Sequence, residues 1–430
     1  MRILELHAPY FRDAWRQAGH EVVCWGPYPH CDLRAPEAVV SLPEVLAALP
    51  SGWAPDAILL GDDSRSLLVL GLEDAPCPTV LLSVDTHHHA WWHAPLAAAH
   101  DVAFVAQKEF LDGFVAAGVP DACWLPLWAP DDVAAPQRVP AHAVAFVGSL
   151  DPTLHPERVA FLRAVGARLP LTAQQGDWRS VFGASRIVLN QTIKGDLNFR
   201  VFEALASGAM LLTERTGNGL LELFGDGEHL VTYPRGDVDA AAALAARYLA
   251  DEPARARIAA RGRHAVLAAH CEMHRAATVV AALAAGPVRR PDAVRVAGAA
   301  RAYALLAFRA RRAIEMLGDT PFYRGLRSSY LAAALRLTTD RRLGEPHRSG
   351  VLGLVMAEQG DRVAALEHLG RAVAGGAPID DHLLRIEMLI EQGDVRAARA
   401  ALERLVAAHP GYELGGAFAA ALGEAVGVAR

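Results

Sequence analysis

The chain of 430 residues lacks the features that mark secreted, membrane-spanning or nucleic-acid-binding proteins. Its five cysteines are odd in number and form no Cys-x-x-Cys pair, which excludes a common zinc motif and favours reduced thiols. No run of about eighteen apolar residues lacks charges, and the N-terminus has no apolar core of a signal peptide. The net charge of −6 argues against a basic nucleic-acid binder. We therefore expect a cytoplasmic protein with no transmembrane segment and no nucleic-acid partner.

Lysine is nearly absent, since only Lys108 and Lys194 occur among 42 basic residues. Codon bias toward arginine and alanine explains this scarcity most simply. The scarcity nevertheless makes the two lysines slightly more interesting as candidate functional residues. Hydrophobic residues make up 52% of the chain and charged residues 21%, so the chain can bury sizeable cores. At about 150 residues per domain, the length indicates about three domains.

Two units of alternating strand and helix patterns fill the first two thirds of the chain. In the first unit, short apolar runs typical of a parallel sheet occur at 3–6, 21–25, 57–60, 79–84 and 102–105, with helical patterns at 11–18, 42–49, 91–99 and 109–117. In the second, strand patterns occur at 143–147, 187–190, 209–213 and 230–233, with helical patterns at 156–166, 199–207, 238–249 and 254–269. The sequence thus predicts an α/β fold of two tandem Rossmann-like domains, 1–135 and 141–286, facing a cleft.

The remainder, residues 292–430, is helical in pattern throughout. The motif Glu-Gln-Gly-Asp occurs at 358–361 and again at 391–394, which is a period of 33 residues. This period resembles a tetratricopeptide-type array and predicts an all-α helical-repeat region, while a generic pair of helical hairpins is the alternative. Seven arginines between 289 and 312 crowd the join to this region, and we expect them to form a solvated basic face, with a contact to a membrane surface or an acidic partner as the alternative.

The segment Asn198–Gly208 combines the parts that a sugar nucleotide requires. Asn198 would cap a helix whose N-terminal N–H groups suit a diphosphate, and Arg200 follows in the first turn. One turn further, Glu203 would accept hydrogen bonds from the two hydroxyls of a ribose. Lys194, on the preceding loop, would reach a phosphate. The alternative is an ordinary amphipathic helix with a surface Glu and a surface Arg.

A second turn offers backbone N–H groups. Gly217-Asn218-Gly219 precedes a short helical pattern, and its amides would add contacts to phosphate or sugar. We predict Asn218 and Gly219 as donor-binding residues, with a plain turn as the alternative.

The chain resembles the CgeB-like, group 1-related glycosyltransferases in four short motifs: Phe146-Val-Gly-Ser-Leu150, Asn198–Gly208, Glu222-Leu-Phe224 and His270-Cys-Glu-Met-His-Arg275. The resemblance covers about residues 75–284. It implies a GT-B fold, a nucleotide-diphospho-sugar donor and no obligatory metal.

By the same resemblance, Glu203 holds the ribose, Arg200 and Lys194 face the phosphates, and Gly148 lets the donor approach the backbone. The chain departs from related retaining enzymes, which carry a second Glu eight residues before the first. Here that position is Gly195.

The N-terminal domain is expected to supply the acceptor side. Asp85 and His87 follow a predicted buried strand, where open α/β sheets place functional side chains, and either would serve as general base on an acceptor hydroxyl. The alternatives are metal binding by the three adjacent histidines 87–89, of which only two would converge in an extended stretch, and local hydrogen bonding. Asp62-Asp63, after another strand, is interpreted as a solvated turn, with binding of an acceptor or a cation as the alternative.

The sequence therefore predicts a glycosyltransferase that moves a sugar from a nucleotide-diphospho-sugar donor to a hydroxyl of a protein or glycan acceptor, with residues 292–430 as the candidate docking region. The alternative is a catalytically inactive scaffold of the same fold that binds a protein partner through its helical repeats. The missing Glu at position 195 and the absence of glycine in the loop after the first strand favour this alternative.

Overall fold

The structure is a computed structural model, and it describes residues 1–136 and 139–409. The strands are β1 (Arg2–His7), β2 (Glu21–Gly26), β3 (Leu33–Arg34), β4 (Val40–Ser41), β5 (Ala57–Gly61), β6 (Val69–Leu70), β7 (Thr79–Ser83), β8 (Val102–Val105), β9 (Cys123–Trp124), β10 (His142–Val147), β11 (Leu171–Gln174), β12 (Ser185–Asn190), β13 (Met210–Glu214) and β14 (Val231–Tyr233).

The helices are α1 (Arg12–Gln17), α2 (Leu42–Ala47), α3 (Thr86–Ala98), α4 (Leu111–Ala116), α5 (Pro156–Gly166), α6 (Arg179–Phe182), α7 (Phe199–Ser207), α8 (Leu220–Leu223), α9 (Val238–Ala250), α10 (Glu252–Ala269), α11 (Glu272–Ala284), α12 (Asp292–Leu317), α13 (Pro321–Thr338), α14 (His347–Gln359), α15 (Arg362–Ala374), α16 (Ile379–Glu391) and α17 (Val395–Ala408). None of the helices in 1–136 and 139–409 combines the length and the apolar character that a membrane span requires.

The first sheet is parallel, with strand order β3-β2-β1-β5-β7-β8-β9. Leu4 of β1 lies opposite Val23 on one side and Ile58 on the other. The chain winds outward in both directions from the pair β1 and β5, so the strand order reverses between their carboxyl ends. Such a reversal opens a crevice in which α/β proteins bind ligands.

The second sheet is also parallel, with order β11-β10-β12-β13-β14. Val144 of β10 pairs with Leu171 of β11 and with Ile187 of β12. The order reverses between β10 and β12, which gives this sheet its own crevice. The edge strand β11 is not apparent in the sequence, because its residues Leu171–Gln174 are partly exposed and only half apolar.

Helix α11 returns from the second sheet to the first. The indole N–H of Trp15 donates to the carbonyl of Ala276 at 2.9 Å. The linker between β9 and β10 is attached on the same side at Ala129, whose N–H donates to the carbonyl of His270 at 3.0 Å. Residues of both sheets and of α11 share one hydrophobic core, which fixes the two crevices relative to each other.

The helices after residue 291 do not form a separate body, because α12 and α13 complete the core of the first sheet. Our expectation of a solvated basic face is wrong for Arg295. Its side chain is fully buried and forms an ion pair with Asp101, with Nη1 2.6 Å from Oδ1. It also donates to the carbonyls of Leu72 and Glu73 at 2.9 and 3.0 Å. Arg295 therefore joins α12 to the loop between β6 and β7.

Helices α14–α17 form two successive pairs, and the repeated Glu-Gln-Gly-Asp motif lies at the turn within each pair. Gly360 and Gly393 have left-handed backbone angles, with φ of 86° and 77°. Asp361 and Asp394 then accept hydrogen bonds from the N–H groups of Ala364 and Ala397, both at 3.0 Å, and so begin the next helix. Residues 410–430, which the predicted helical region also includes, lie outside the described residues.

Candidate functional site

The crevices of the two sheets face each other, and aromatic side chains join their edges. Tyr10 follows β1 and stacks on Phe199 at the start of α7, with ring centroids 6.4 Å apart. Trp128 of the linker meets Phe199 edge-on at 5.1 Å. The hydroxyl of Tyr10 donates to the carbonyl of Asp62 at 2.7 Å, beyond the end of β5. The beginning of α7 is therefore held against the strand ends of the N-terminal domain.

Arg200, in the first turn of α7, bridges the two strands at the crevice of the second sheet. Its Nε donates to the carbonyl of Val147 at 2.8 Å, and Nη1 donates to Oδ1 of Asn190 at 2.7 Å. The guanidinium lies 4.4 Å from the ring centroid of Phe146. A Cβ on Gly148 would lie only 2.3 Å from Nη2. The missing side chain of Gly148 thus makes room for Arg200.

A second guanidinium, which the sequence pattern did not indicate, flanks the same ring. Arg158 of α5 is buried and lies 5.5 Å from the centroid of Phe146. Its Nε donates to Oε1 of Gln191 at 2.9 Å. Burial, together with the charge of Arg158, lowers the pKa of Arg200 to about 10, so Arg200 remains protonated at neutral pH. Neither forms an ion pair with a described residue, and two such cations at strand ends suit an anion.

Glu203 lies one turn further along α7. Its carboxylate makes no hydrogen bond or ion pair with any residue of 1–136 and 139–409. Burial raises the pKa of Glu203 to about 7, while the charges of Arg200 and Arg179 oppose this shift. A partly buried carboxyl group without a partner is free to accept hydrogen bonds from ligand hydroxyls.

Lys194 projects from the turn before α7, and its side chain is exposed. Its charge contributes to the lowered pKa values of His87 and His88, so it lies across the cleft within electrostatic reach of both. Among the predicted phosphate-facing residues, Lys194 is the one that faces the N-terminal domain.

Asn198 occupies the N-cap position of α7, but its side chain makes no capping hydrogen bond. Our expectation of a side-chain cap is therefore wrong. Nδ2 of Asn198 instead donates to Asp196 at 3.4 Å, and the buried Oδ1 has no partner among the described residues. Consequently, this side chain does not compete for the N–H groups at the start of the helix.

Asn218 and Gly219 lie where the two domains touch. The side chain of Asn218 is fully buried. Its Oδ1 accepts from the N–H of Glu109 at 3.0 Å, and Nδ2 donates to the carbonyl of Gly195 at 2.9 Å. A Cβ on Gly219 would lie 2.3 Å from the Trp124 ring. Both residues thus serve the domain contact in this structure, and their predicted contact with the donor stays a prediction.

On the N-terminal side, Asp62 lies at the crevice of the first sheet. Our interpretation of Asp62-Asp63 as a solvated turn is wrong, because the side chains are 3% and 4% exposed. Asp62 accepts hydrogen bonds from the N–H groups of Ser64 and Asp85 at 2.9 and 2.7 Å. Burial, together with the charge of Asp85, raises the pKa of Asp62 to about 7. Asp62 therefore ties the ends of β5 and β7 together.

Asp85 lies one strand away, two residues beyond the end of β7. Its Oδ2 accepts a short hydrogen bond from the hydroxyl of Ser64. The same hydroxyl oxygen is 3.1 Å from Nε2 of His89. Since the hydroxyl proton goes to Asp85, we assign the hydrogen of His89 to Nε2. Ser64 thereby orients the carboxylate that the sequence places on the acceptor side.

The three histidines 87–89 lie in the first turn of α3, not in the extended stretch that we expected. Helix α3 begins at Thr86, because Asp85 accepts the first helical hydrogen bonds. The rings of His87 and His88 are 4.1 Å apart. Burial lowers the pKa of each to about 4, so both are neutral at neutral pH and able to accept a proton. Within the described part of the chain, no three His, Cys, Asp or Glu side chains are arranged to hold a metal ion.

Sequence comparison agrees with this geometry for the C-terminal domain. Residues 138–281 match the family described as "Glycosyl transferase-like". The match spans β10 to most of α11 and includes Gly148, Arg158, Arg200 and Glu203. Over this third of the chain the family match agrees with the predicted glycosyltransferase, and the strand orders of the two parallel sheets agree with the predicted GT-B fold. No curated protein matches the chain in sequence.

Three solved structures are similar to this chain at low sequence identity. HepE from Anabaena, in complex with UDP and glucose, is 13% identical over 66% of this chain and 99% of that chain, with a TM-score of 0.48. Sucrose-phosphate synthase from Thermosynechococcus elongatus is 12% identical over 66% and 99% of the two chains, with a TM-score of 0.47. AviGT4, involved in Avilamycin A biosynthesis, is 17% identical over 66% and 98%, with a TM-score of 0.43. The fold assignment rests on the strand orders of the two sheets.

Proposed function

We propose that the protein transfers a sugar from a nucleoside-diphospho-sugar to an acceptor hydroxyl in the cytoplasm, with no obligatory metal. One observation carries the proposal. Arg158 and Arg200 flank Phe146 at the crevice of the second sheet, and neither forms an ion pair with a carboxylate of the described residues. Two guanidinium groups match the charge of a diphosphate and supply donors to its oxygens.

The ribose and the leaving group are assigned to the neighbouring residues. Glu203, which has no partner, accepts hydrogen bonds from the ribose hydroxyls. The N–H groups at the start of α7 add to the positive field at the diphosphate. Lys194 faces the cleft and stabilises the charge that develops as the diphosphate leaves. The backbone N–H groups of Asn218 and Gly219 are proposed to add contacts to the phosphate or sugar of the donor.

On the acceptor side, Asp85 is the proposed general base, and His87 is the second candidate. Asp85 is oriented by Ser64, and His87 is neutral at neutral pH. Either takes the proton of the acceptor hydroxyl as that oxygen attacks the anomeric carbon. The C–O bond to the diphosphate breaks, and the diphosphate leaves toward Arg200 and Lys194.

The helices after α13 are proposed to dock the acceptor, whether protein or glycan. We infer that α14–α17 are two tetratricopeptide-like pairs and that the domain belongs to the CgeB-like branch of its family. A groove of about 670 Å³ lies between α3, α12, α14 and α16. Its rim carries the exposed rings of Trp91 and Phe308, with centroids 6.2 Å apart. Trp91 is one helical turn beyond His87 and His88, so the groove leads toward the cleft.

The donor site is tested by a thermal-shift screen against UDP, GDP, ADP, CDP and TDP and their common sugars. A ligand that binds only the native state at a hundred times its Kd stabilises it by about 2.7 kcal/mol. Arg200→Met and Arg158→Met should each remove most of the stabilisation by the best diphosphate. Glu203→Ala should weaken the diphosphate and the corresponding monophosphate alike, because both carry the ribose.

The matched control is Arg261→Met, since Arg261 is an exposed arginine of the same domain that pairs with Glu228. Calorimetric affinity of Arg200→Met equal to that of the control would remove the assignment of the diphosphate site. Donor binding by the wild type without any turnover would instead favour the inactive scaffold.

A further inference from the structure

The loop between β5 and β7 carries Ser64, and side chains from the helical region hold this loop along its length. Tyr330 of α13 donates to the carbonyl of Leu67 at 2.7 Å. The hydroxyl of Tyr303 accepts from the N–H of Gly71 at 3.0 Å. The helices after the two sheets are thus in direct contact with the backbone that enters the acceptor side of the cleft.

Arg309 of α12 makes the contact closest to the cleft. Its Nη2 donates to the carbonyl of Ser64 at 2.7 Å, and Nη1 donates to the carbonyl of Arg65 at 2.9 Å. The guanidinium also lies 5.6 Å from the ring centroid of Trp92. Arg309 forms no ion pair with any residue of the described ranges. Burying a guanidinium costs desolvation, so packing alone does not account for arginine at this position.

The turn that Arg309 holds is one that a serine adopts rarely. Ser64 has a left-handed φ of 60°. Non-glycine residues stay in this region only where their surroundings fix them, and here both faces of the turn are fixed. The side chain of Asp62 accepts a hydrogen bond from the N–H of Ser64, and Arg309 donates one to the carbonyl of Ser64. In this conformation the hydroxyl of Ser64 reaches Asp85.

We propose that Arg309 is a positioning residue for the transfer reaction, acting through Ser64 on Asp85. The inference rests on the proposed function in taking Asp85 as general base. It assigns the helical region a part in catalysis that is separate from acceptor docking. The Asp85 carboxylate and its support then come from parts of the chain more than two hundred residues apart.

The test compares Arg309→Met and Arg309→Lys with Arg324→Met in the full-length protein. Arg324 is an exposed arginine of α13 whose partner is Asp319 at 3.1 Å. We measure nucleoside diphosphate release from the donor that stabilises the wild type most in the thermal-shift screen. Arg309→Met should lower kcat about 10- to 100-fold, a part of what a general base contributes, with the donor KM within about twofold. Arg309→Lys should recover part of kcat, because an ammonium group can still donate to the carbonyl of Ser64 but lacks the planar fork that reaches both carbonyls.

A double-mutant cycle with Ser64→Ala separates positioning from general loosening. If Arg309 acts through Ser64, the double variant should be no slower than Ser64→Ala within about twofold. Multiplicative losses in the cycle would overturn the proposal, as would a kcat of Arg309→Met equal to that of Arg324→Met.

Hydrogen exchange gives a readout that does not depend on turnover. Amides of residues 64–71 should exchange about tenfold faster in Arg309→Met than in Arg324→Met, while those of β7 stay protected. Unchanged exchange in this loop would overturn the proposal even if the enzyme proved active. Faster exchange in a protein that binds no donor would leave Arg309 as the support of the turn and refute the proposed function instead.

Discussion

At the scale of residues, hydrogen bonding distinguishes a carboxylate with a structural role from one that is available to a ligand, as two glutamates of the C-terminal domain show. Glu214 is fully buried, and its oxygens accept hydrogen bonds from Thr192 and from the N–H of Gly236. Glu203 lies on the facing helix without a hydrogen bond to any described residue. A satisfied carboxylate holds a loop in place, whereas one kept without a partner is available to a ligand.

Burial of Glu5 predicts a pH dependence of stability. Its Oε1 accepts from the N–H of Phe11 at 2.8 Å, Oε2 has no partner among the described residues, and burial raises the pKa of Glu5 to about 8. A raised pKa means that the folded state binds the proton more tightly than the unfolded state. Glu5 therefore destabilises the fold increasingly as pH rises from about 4.5 to about 8.

Glu5→Gln should remove this dependence, because an amide does not ionise. Its free energy of unfolding relative to the wild type should increase between pH 5 and pH 8 by one to several kcal/mol, at about 1.4 kcal/mol per unit of pKa shift. Urea denaturation at both pH values measures the difference. A difference that stays constant with pH would show that Glu5 is already ionised in the folded state.

At the scale of elements, the junction of β10 and α7 depends on a close approach between Gly148 and Arg200. We expect Gly148→Ala to push the guanidinium away, since the added Cβ would meet the mobile end of that side chain at 2.3 Å. The free energy of unfolding should change little, while diphosphate affinity falls about tenfold, which equals about 1.4 kcal/mol.

Gly262→Ala provides the contrast for that prediction. There the new Cβ would lie 2.3 Å from the carbonyl oxygen of His229, and backbone cannot move aside as a side chain can. Gly262→Ala should thus lower the free energy of unfolding by about 1–3 kcal/mol. If Gly148→Ala destabilised the protein equally and bound diphosphate normally, Gly148 would serve packing alone.

Elements with a strong pattern were predictable, and those with a weak one were not. Helix α7 runs from Phe199 to Ser207 as predicted, because its apolar residues recur on one face and Gly208 ends it. Helix α3 begins five residues before the predicted start, since histidines at the first turn carry no helical signal of their own. The role of Arg158 required the structure, because one arginine in a helix does not show which ring or strand end it meets.

At the scale of the whole molecule, the helical region and the N-terminal sheet fold as one unit. Residues of α12 and α13 share a core with β1, β5 and β7, and Arg295 pairs with Asp101 inside it. By contrast, α16 and α17 have a small core of their own around Ile386 and Leu405. The C-terminal helices are therefore divided between two cores: α12 and α13 pack on the N-terminal sheet, whereas α16 and α17 pack on each other.

Truncation tests this division. A chain ending at residue 290 should lose cooperative unfolding, because it exposes the apolar face that α12 and α13 cover. A chain ending at residue 376 keeps that cover, since it loses α16, α17 and the C-terminal residues alone, and it should unfold cooperatively. Near-ultraviolet circular dichroism during thermal unfolding distinguishes them. Cooperative unfolding of the shorter chain would show that the N-terminal sheet is stable by itself.

The sequence by itself determined the alternation of strands and helices, the two α/β units and the donor segment 198–208, because hydrophobic periodicity and capping act over a few residues. Tertiary structure alone decided which charges lack partners and which side chains meet. Arg158 joins Arg200 across Phe146, and Arg309 reaches Ser64 from 245 residues away. Such contacts depend on how elements pack, and no local pattern encodes them.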